Sequence, residues 1–88
     1  MLNRIYQTKF VKDVEHLKRR GKEIKKLSTV INILLEENRL PEKYKNHKLL
    51  GQYNECLECH IESDWLLIYK KTKTSVIFAR TGTHSDLF

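Results

Sequence analysis

Proline occurs once and glycine three times in these 88 residues, so the chain is neither collagen-like nor a low-complexity polymer. Cysteine is limited to two residues, too few for the disulfide framework of a small secreted domain. Long hydrophobic runs are missing as well. The longest uncharged stretch, Leu27 to Leu35, has nine residues, whereas a membrane-spanning helix needs about 20 apolar residues. The opening residues, Met1-Leu2-Asn3-Arg4-Ile5-Tyr6, contain no apolar core of an export signal. These absences predict a cytoplasmic protein with reduced cysteines and no membrane partner.

Acidic residues are the other scarce class, eleven against seventeen Lys and Arg, for a net charge of +6. The excess is uneven. Residues 1 to 45 carry twelve basic and six acidic side chains, and residues 46 to 88 carry five of each. A basic pole favours an anionic partner, nucleic acid or an acidic protein, although a solvated charged face has the same composition. With 40% hydrophobic and 32% charged residues the chain can build a thin core, and residues 1–88 are expected to form one domain.

Helices come first and strands second. Ile5 and Tyr6 suit a short opening strand, and Thr8 is placed to cap a helix. Phe10, Val14 and Leu17 then recur on one helical face, which Gly21 can end. Ile24, Leu27, Ile31 and Leu34 mark a second helix with Asn38 as its C-cap, before the break at Pro41. Lys18, Arg19, Arg20, Lys22, Lys25 and Lys26 crowd the tip of this hairpin, with Glu23 as the only acid there. A polar loop from Glu42 to Lys48 follows. Three strand-like runs close the chain, Tyr53 to Ile61, Asp64 to Lys70 and Thr74 to Arg80, with short links that favour an antiparallel meander. The fold class is therefore α+β, an N-terminal helical hairpin packed on a small, mainly antiparallel sheet.

Three of the four histidines lie at the ends of predicted elements in the second half: His47 in the loop, His60 closing a strand and His84 near the C-terminus. His60 and Asp64 flank one turn and should be neighbours. Such groups can speed the attack of an RNA 2'-hydroxyl on the adjacent phosphate, which needs one base and one acid and no metal. Histidine, with an ordinary pKa of about 6.5, serves either role. Arg80, with Lys45 or Lys48, could offset charge on the phosphate, and Trp65 or Phe88 could stack on an unpaired base. Trp65 as a core side chain and Arg80 as a surface charge are the plainer readings.

Cys56-Leu57-Glu58-Cys59-His60 also spells the attachment motif of c-type haem. On a strand, however, Cys56 and Cys59 would point to opposite faces, which opposes both haem attachment and a zinc site built on the pair. No cofactor or metal is expected.

Three blocks taken together, Tyr44 to Gly51 (Y-K-N-H-K-L-L-G), Glu58 to Tyr69 (E-C-H-I-E-S-D-W-L-L-I-Y) and Arg80 to Phe88 (R-T-G-T-H-S-D-L-F), resemble the YafQ branch of the RelE-like toxins. The resemblance covers essentially the whole chain. It implies the RelE-like microbial RNase fold and an endoribonuclease that cuts mRNA, chiefly on the translating ribosome. It also implies restraint by a DinJ- or RelB-like antitoxin, with operator DNA bound only through that complex. By matching position, His47, His60, Asp64 and His84 correspond to the family's catalytic set and Phe88 to its terminal aromatic. His84 looks like the proton donor and His47 like the base, with His60 and Asp64 orienting groups or stabilising charge. The chain departs from the family pattern at Leu57, where an arginine is common, at Asn46 and Lys48 around His47, and at Ser63. The competing expectation is a basic RNA- or antitoxin-binding module that keeps the toxin fold and cuts nothing.

Overall fold

The computed structural model describes residues 1–49, 51 and 55–88. Its elements run β1 (Asn3–Tyr6), α1 (Thr8–Arg19), α2 (Ile24–Leu35), a 3-10 turn (Glu42–Tyr44), β2 (His47–Lys48), β3 (Leu57–Glu62), β4 (Trp65–Lys71), β5 (Ser75–Gly82) and α3 (His84–Leu87). The sheet order is β1-β5-β4-β3-β2. Only the β1–β5 pair is parallel, so the expected antiparallel meander forms the middle of the sheet.

The helix ends follow from local backbone chemistry. Gly21 takes a positive φ of 80°, and the amides of Gly21 and Lys22 return to the carbonyls of Lys18 and Leu17, a glycine-ended Schellman turn. At the end of α2 the same pair of bonds runs from Glu37 and Asn38 to Leu34 and Ile33. There the C-cap is Glu36 in place of the expected Asn38, and Glu37 takes the left-handed position at φ 60°. Thr8 is the first helical residue and not the cap; Gln7 precedes the helix without a side-chain cap bond. The expected polar loop contains the 3-10 turn and the two-residue β2, both too short to leave a periodic signal. Of the run expected from Tyr53, the strand itself begins at Leu57, and Tyr53 lies outside the described residues.

Each face of the sheet has its own apolar cluster. On one side Phe10, Leu17, Leu27, Val30, Ile31 and Leu35 of the helices pack on Cys59, Ile61, Trp65, Leu67, Tyr69, Val76 and Phe78. The second cluster is smaller and uses the alternate residues: Leu66 and Ile68 of β4, covered by Leu87 of α3 and flanked by Leu49, Cys56 and Ala79. This explains why β4 is apolar on both faces: one lies under the helices and the other under the C-terminal turn. Among the described residues no helix is long and apolar enough to cross a membrane.

Candidate active site

The smaller cluster leaves part of that second face open, and the register fixes which side chains occupy it. Cross-strand partners share a face. His47 pairs with Glu58, Glu58 with Ile68, and Ile68 with Arg80; in the next row His60 pairs with Leu66 and Leu66 with Gly82. The imidazoles of His47, His60 and His84 consequently stand in a row, each neighbouring pair of ring centres 6.0 Å apart.

One end of the row is built on Glu58, a residue that sequence reasoning passed over. Its carboxylate is only 7% exposed and lies 2.8 Å from Nε2 of His47 and 3.6 Å from Nε2 of His60. The signal that could have found it is the two-residue period of β3, which puts Glu58 and His60 on one face. His47 is engaged at both nitrogens. Nδ1 lies 2.7 Å from the carbonyl of Lys45, which can only accept, so Nδ1 carries a proton. Nε2 faces the Glu58 carboxylate. The loop that presents His47 is pinned by Tyr69, whose hydroxyl donates to Asn46 Oδ1 at 2.7 Å, and by Lys45 in a left-handed conformation.

The other end is a dyad. Asp64 Oδ1 accepts both the backbone N–H of His84, at 2.9 Å, and Nδ1 of its ring, at 2.6 Å. The amide bond first and the ring bond second hold the Asp64 carboxyl below its ordinary range. As an acceptor it fixes a ring proton on Nδ1 and leaves Nε2 of His84, on a half-exposed side chain, outside that bond. Asp64 thus partners His84, and His60 partners Glu58; the expected His60–Asp64 pair does not form among the described residues.

Other expected residues are redistributed. Trp65 is fully buried under the helices, with its indole N–H donated to Thr81 Oγ1 at 2.9 Å, so it belongs to the core and cannot stack on a base. Lys48 pairs with Leu57, on the face turned to the helices and away from the histidines. Arg80 has the register of the open face, but its guanidinium makes a bidentate bond to Asp13. Phe88 is 62% exposed beyond buried Leu87. Cys56 and Cys59 fall in opposite clusters, and burial pushes the Cys59 thiol up to about 12, which leaves it unreactive. The basic tip is partly consumed inside the protein: Lys22 and Lys26 both grip Glu62, and Arg20 grips Asp86.

One nitrogen from each of His47 and His60 and an oxygen of Glu58 lie within 4.8 Å of one another, a donor set that suits Zn²⁺ or Cu²⁺. This set shares His60 with the zinc site weighed from the sequence but contains neither of its cysteines.

This helix-backed, mainly antiparallel α+β sheet is the fold of a solved bacterial toxin, YafQ from Escherichia coli strain BL21(DE3), which it matches with a TM-score of 0.95 at 36% identity over 100% of this chain and 99% of that one. The chain belongs to the YafQ family, bacterial toxins of type II toxin–antitoxin systems, whose family model matches residues 3–88. It is 39% identical over 84 residues to the mRNA interferase toxin YafQ of Escherichia coli K12, covering 94% of this chain and 91% of that one. The fold matches YafQ in the E. coli DinJ–YafQ complex with a TM-score of 0.93 at 37% identity, covering 100% and 99% of the two chains. A metal-bound toxin from Helicobacter pylori matches with a TM-score of 0.93 at 38% identity over all of both chains.

Proposed function

We propose that this chain is an mRNA endoribonuclease that works in the cytoplasm by general acid–base chemistry, and that its open sheet face is the active site. The observation that carries the reading is the division of that face into an accepting end, Glu58 with His47, and a donating end, His84 with Asp64, at opposite ends of one row. In the reaction the 2'-oxygen attacks the adjacent phosphorus while Glu58 takes its proton. The bond from phosphorus to the 5'-oxygen breaks, and the imidazolium form of His84, its Nδ1 proton held by Asp64, gives its Nε2 proton to that oxygen. The products are a 2',3'-cyclic phosphate and a 5'-hydroxyl.

His47 is reassigned on geometry. With Nδ1 engaged by the Lys45 carbonyl and Nε2 by Glu58, both of its nitrogens are occupied by protein, and it serves with His60 to hold the phosphate oxygens. Lys45 and Phe88, both at the rim, remain the contacts to flanking RNA, and Phe88 offers an exposed ring for stacking. Arg80 contributes charge from the edge of β5. Trp65, fully buried, has no place in RNA contact, and Lys48, exposed on the opposite face of β2, is set apart from the histidine row. A divalent ion held by His47, Glu58 and His60 would supply Lewis-acid pull on a phosphate oxygen, but it would also occupy the proton-accepting oxygen of Glu58. The cut proposed here needs those three residues without one.

The partners proposed are a translated message on the ribosome and an antitoxin of the DinJ kind, through which alone operator DNA is bound. Inducing the chain in a bacterium and mapping new RNA 5' ends tests this. New ends within the coding region of a translated message, and not on an untranslated copy, are expected. Cutting of both copies alike would remove the ribosome, and no new ends together with normal growth would leave a binding module in place of an enzyme.

A further inference from the structure

The proposed general acid sits in a four-residue helical turn, and Leu87 alone anchors that turn in an apolar cluster. What holds it comes from α1. Asp13, His16 and Arg20 are spaced three and four residues apart, which stacks them in one stripe on the helix. All three line a cavity of about 190 Å³ whose other walls are Arg80, Thr81 and Asp86.

Strand β1 ends opposite Phe78, so the outer edge of β5 continues past its strand neighbour. Asp13 fills that gap. Its Oδ2 accepts the Thr81 N–H at 3.1 Å and Nε of Arg80 at 2.7 Å, and its Oδ1 accepts Nη2 of Arg80 at 3.1 Å. Arg20, the C-cap of α1 two turns further along, reaches Asp86 Oδ2 at 2.9 Å. Asp86 closes a capping box with Thr83, the residue before His84. Gly82 stands between the two anchors at φ 156°, and a Cβ there would lie 2.9 Å from Asp86 Oδ2. The segment from Arg80 to Asp86 is therefore gripped at both ends by one helix, with His84 inside it.

We propose that Asp13 and Arg20 are positioning residues that set the reach of His84 Nε2 toward the departing 5'-oxygen. This rests on His84 being the general acid. The Arg20–Asp86 pair is partly exposed and contributes little to stability. Its effect falls on the rate, because a misplacement of about 1 Å can cost about 10²-fold in a positioned reaction.

The test compares wild type with Asp13→Asn, Arg20→Gln, Arg20→Lys and His84→Ala. The substrate is a ribosome-bound message with either an ordinary 5'-oxygen or a 5'-phosphorothiolate at the cut site. The sulfur leaves without protonation, so the thio substrate bypasses the acid. On the ordinary message Asp13→Asn and Arg20→Gln should lower kcat by about tenfold to a hundredfold with KM unchanged, and Arg20→Lys should recover most of the loss. On the thio message the loss should vanish, as for His84→Ala. A defect in kcat that persists on the thio substrate, or one seen in KM alone, would overturn the proposal in favour of RNA docking. Failure of the thio substrate to rescue His84→Ala would overturn it differently, by removing the acid that the stripe is said to aim. Should Asp13→Asn not fold, Arg20→Gln carries the test.

Discussion

His84→Ala should lose about 10² to 10⁴ in cleavage rate, the usual contribution of a positioned general acid. The 5'-oxygen of ribose is a poor leaving group at neutral pH, and among the described residues the ring of His84 is the imidazole whose Nδ1 is fixed by a carboxylate while its other nitrogen lies outside that bond. Folding should be nearly unaffected, because the side chain is 56% exposed. A melting curve that matches wild type, together with the rate loss, would place the effect in the chemistry. Rescue by the 5'-phosphorothiolate message is expected for this variant. A loss below tenfold would assign the acid elsewhere.

Glu58→Gln should cost about as much, 10² to 10⁴ or so, and should not be rescued by the thio substrate, since the missing group acts on the 2'-oxygen. Glutamine keeps the size and still reaches both histidines but cannot take up a proton. The carboxylate is nearly buried beside two imidazoles, so its replacement also removes the charged partner of His47 and His60. A near-normal rate in Glu58→Gln with a dead His47→Gln would return the base to His47.

The architecture was legible because its signals are periodic. Phe10, Val14 and Leu17 repeat at helical spacing, and the all-apolar Trp65 to Tyr69 announces a central strand. What escaped depends on contacts between residues distant in sequence. Glu58 looks like an ordinary strand acid until β2 folds against it and brings His47 within 2.8 Å. Asp64 looks like a partner for His60 across one turn, yet α3 returns twenty residues later and offers it both an amide and a ring. Trp65 has the composition of a stacking residue, and only the register shows that it faces the helices, where Thr81 takes its N–H. The basic tip is the clearest case. Its charges suggest docking, and three of them are spent on Glu62 and Asp86 at the turns that carry Asp64 and His84.

In the proposed reaction RNA is cut by its own 2'-hydroxyl, with protein carboxylate and imidazole groups moving the protons. The decisive measurement is end-group analysis of the fragments made on a translated message, in magnesium buffer that keeps the ribosome intact, by protein first dialysed against EDTA to strip any transition metal. Undiminished cutting is expected, leaving a 2',3'-cyclic phosphate on one fragment and a 5'-hydroxyl on the other. Fragments ending in a 3'-hydroxyl and a 5'-phosphate, or cutting by the dialysed protein that appears only when zinc or copper is added back, would overturn the reaction.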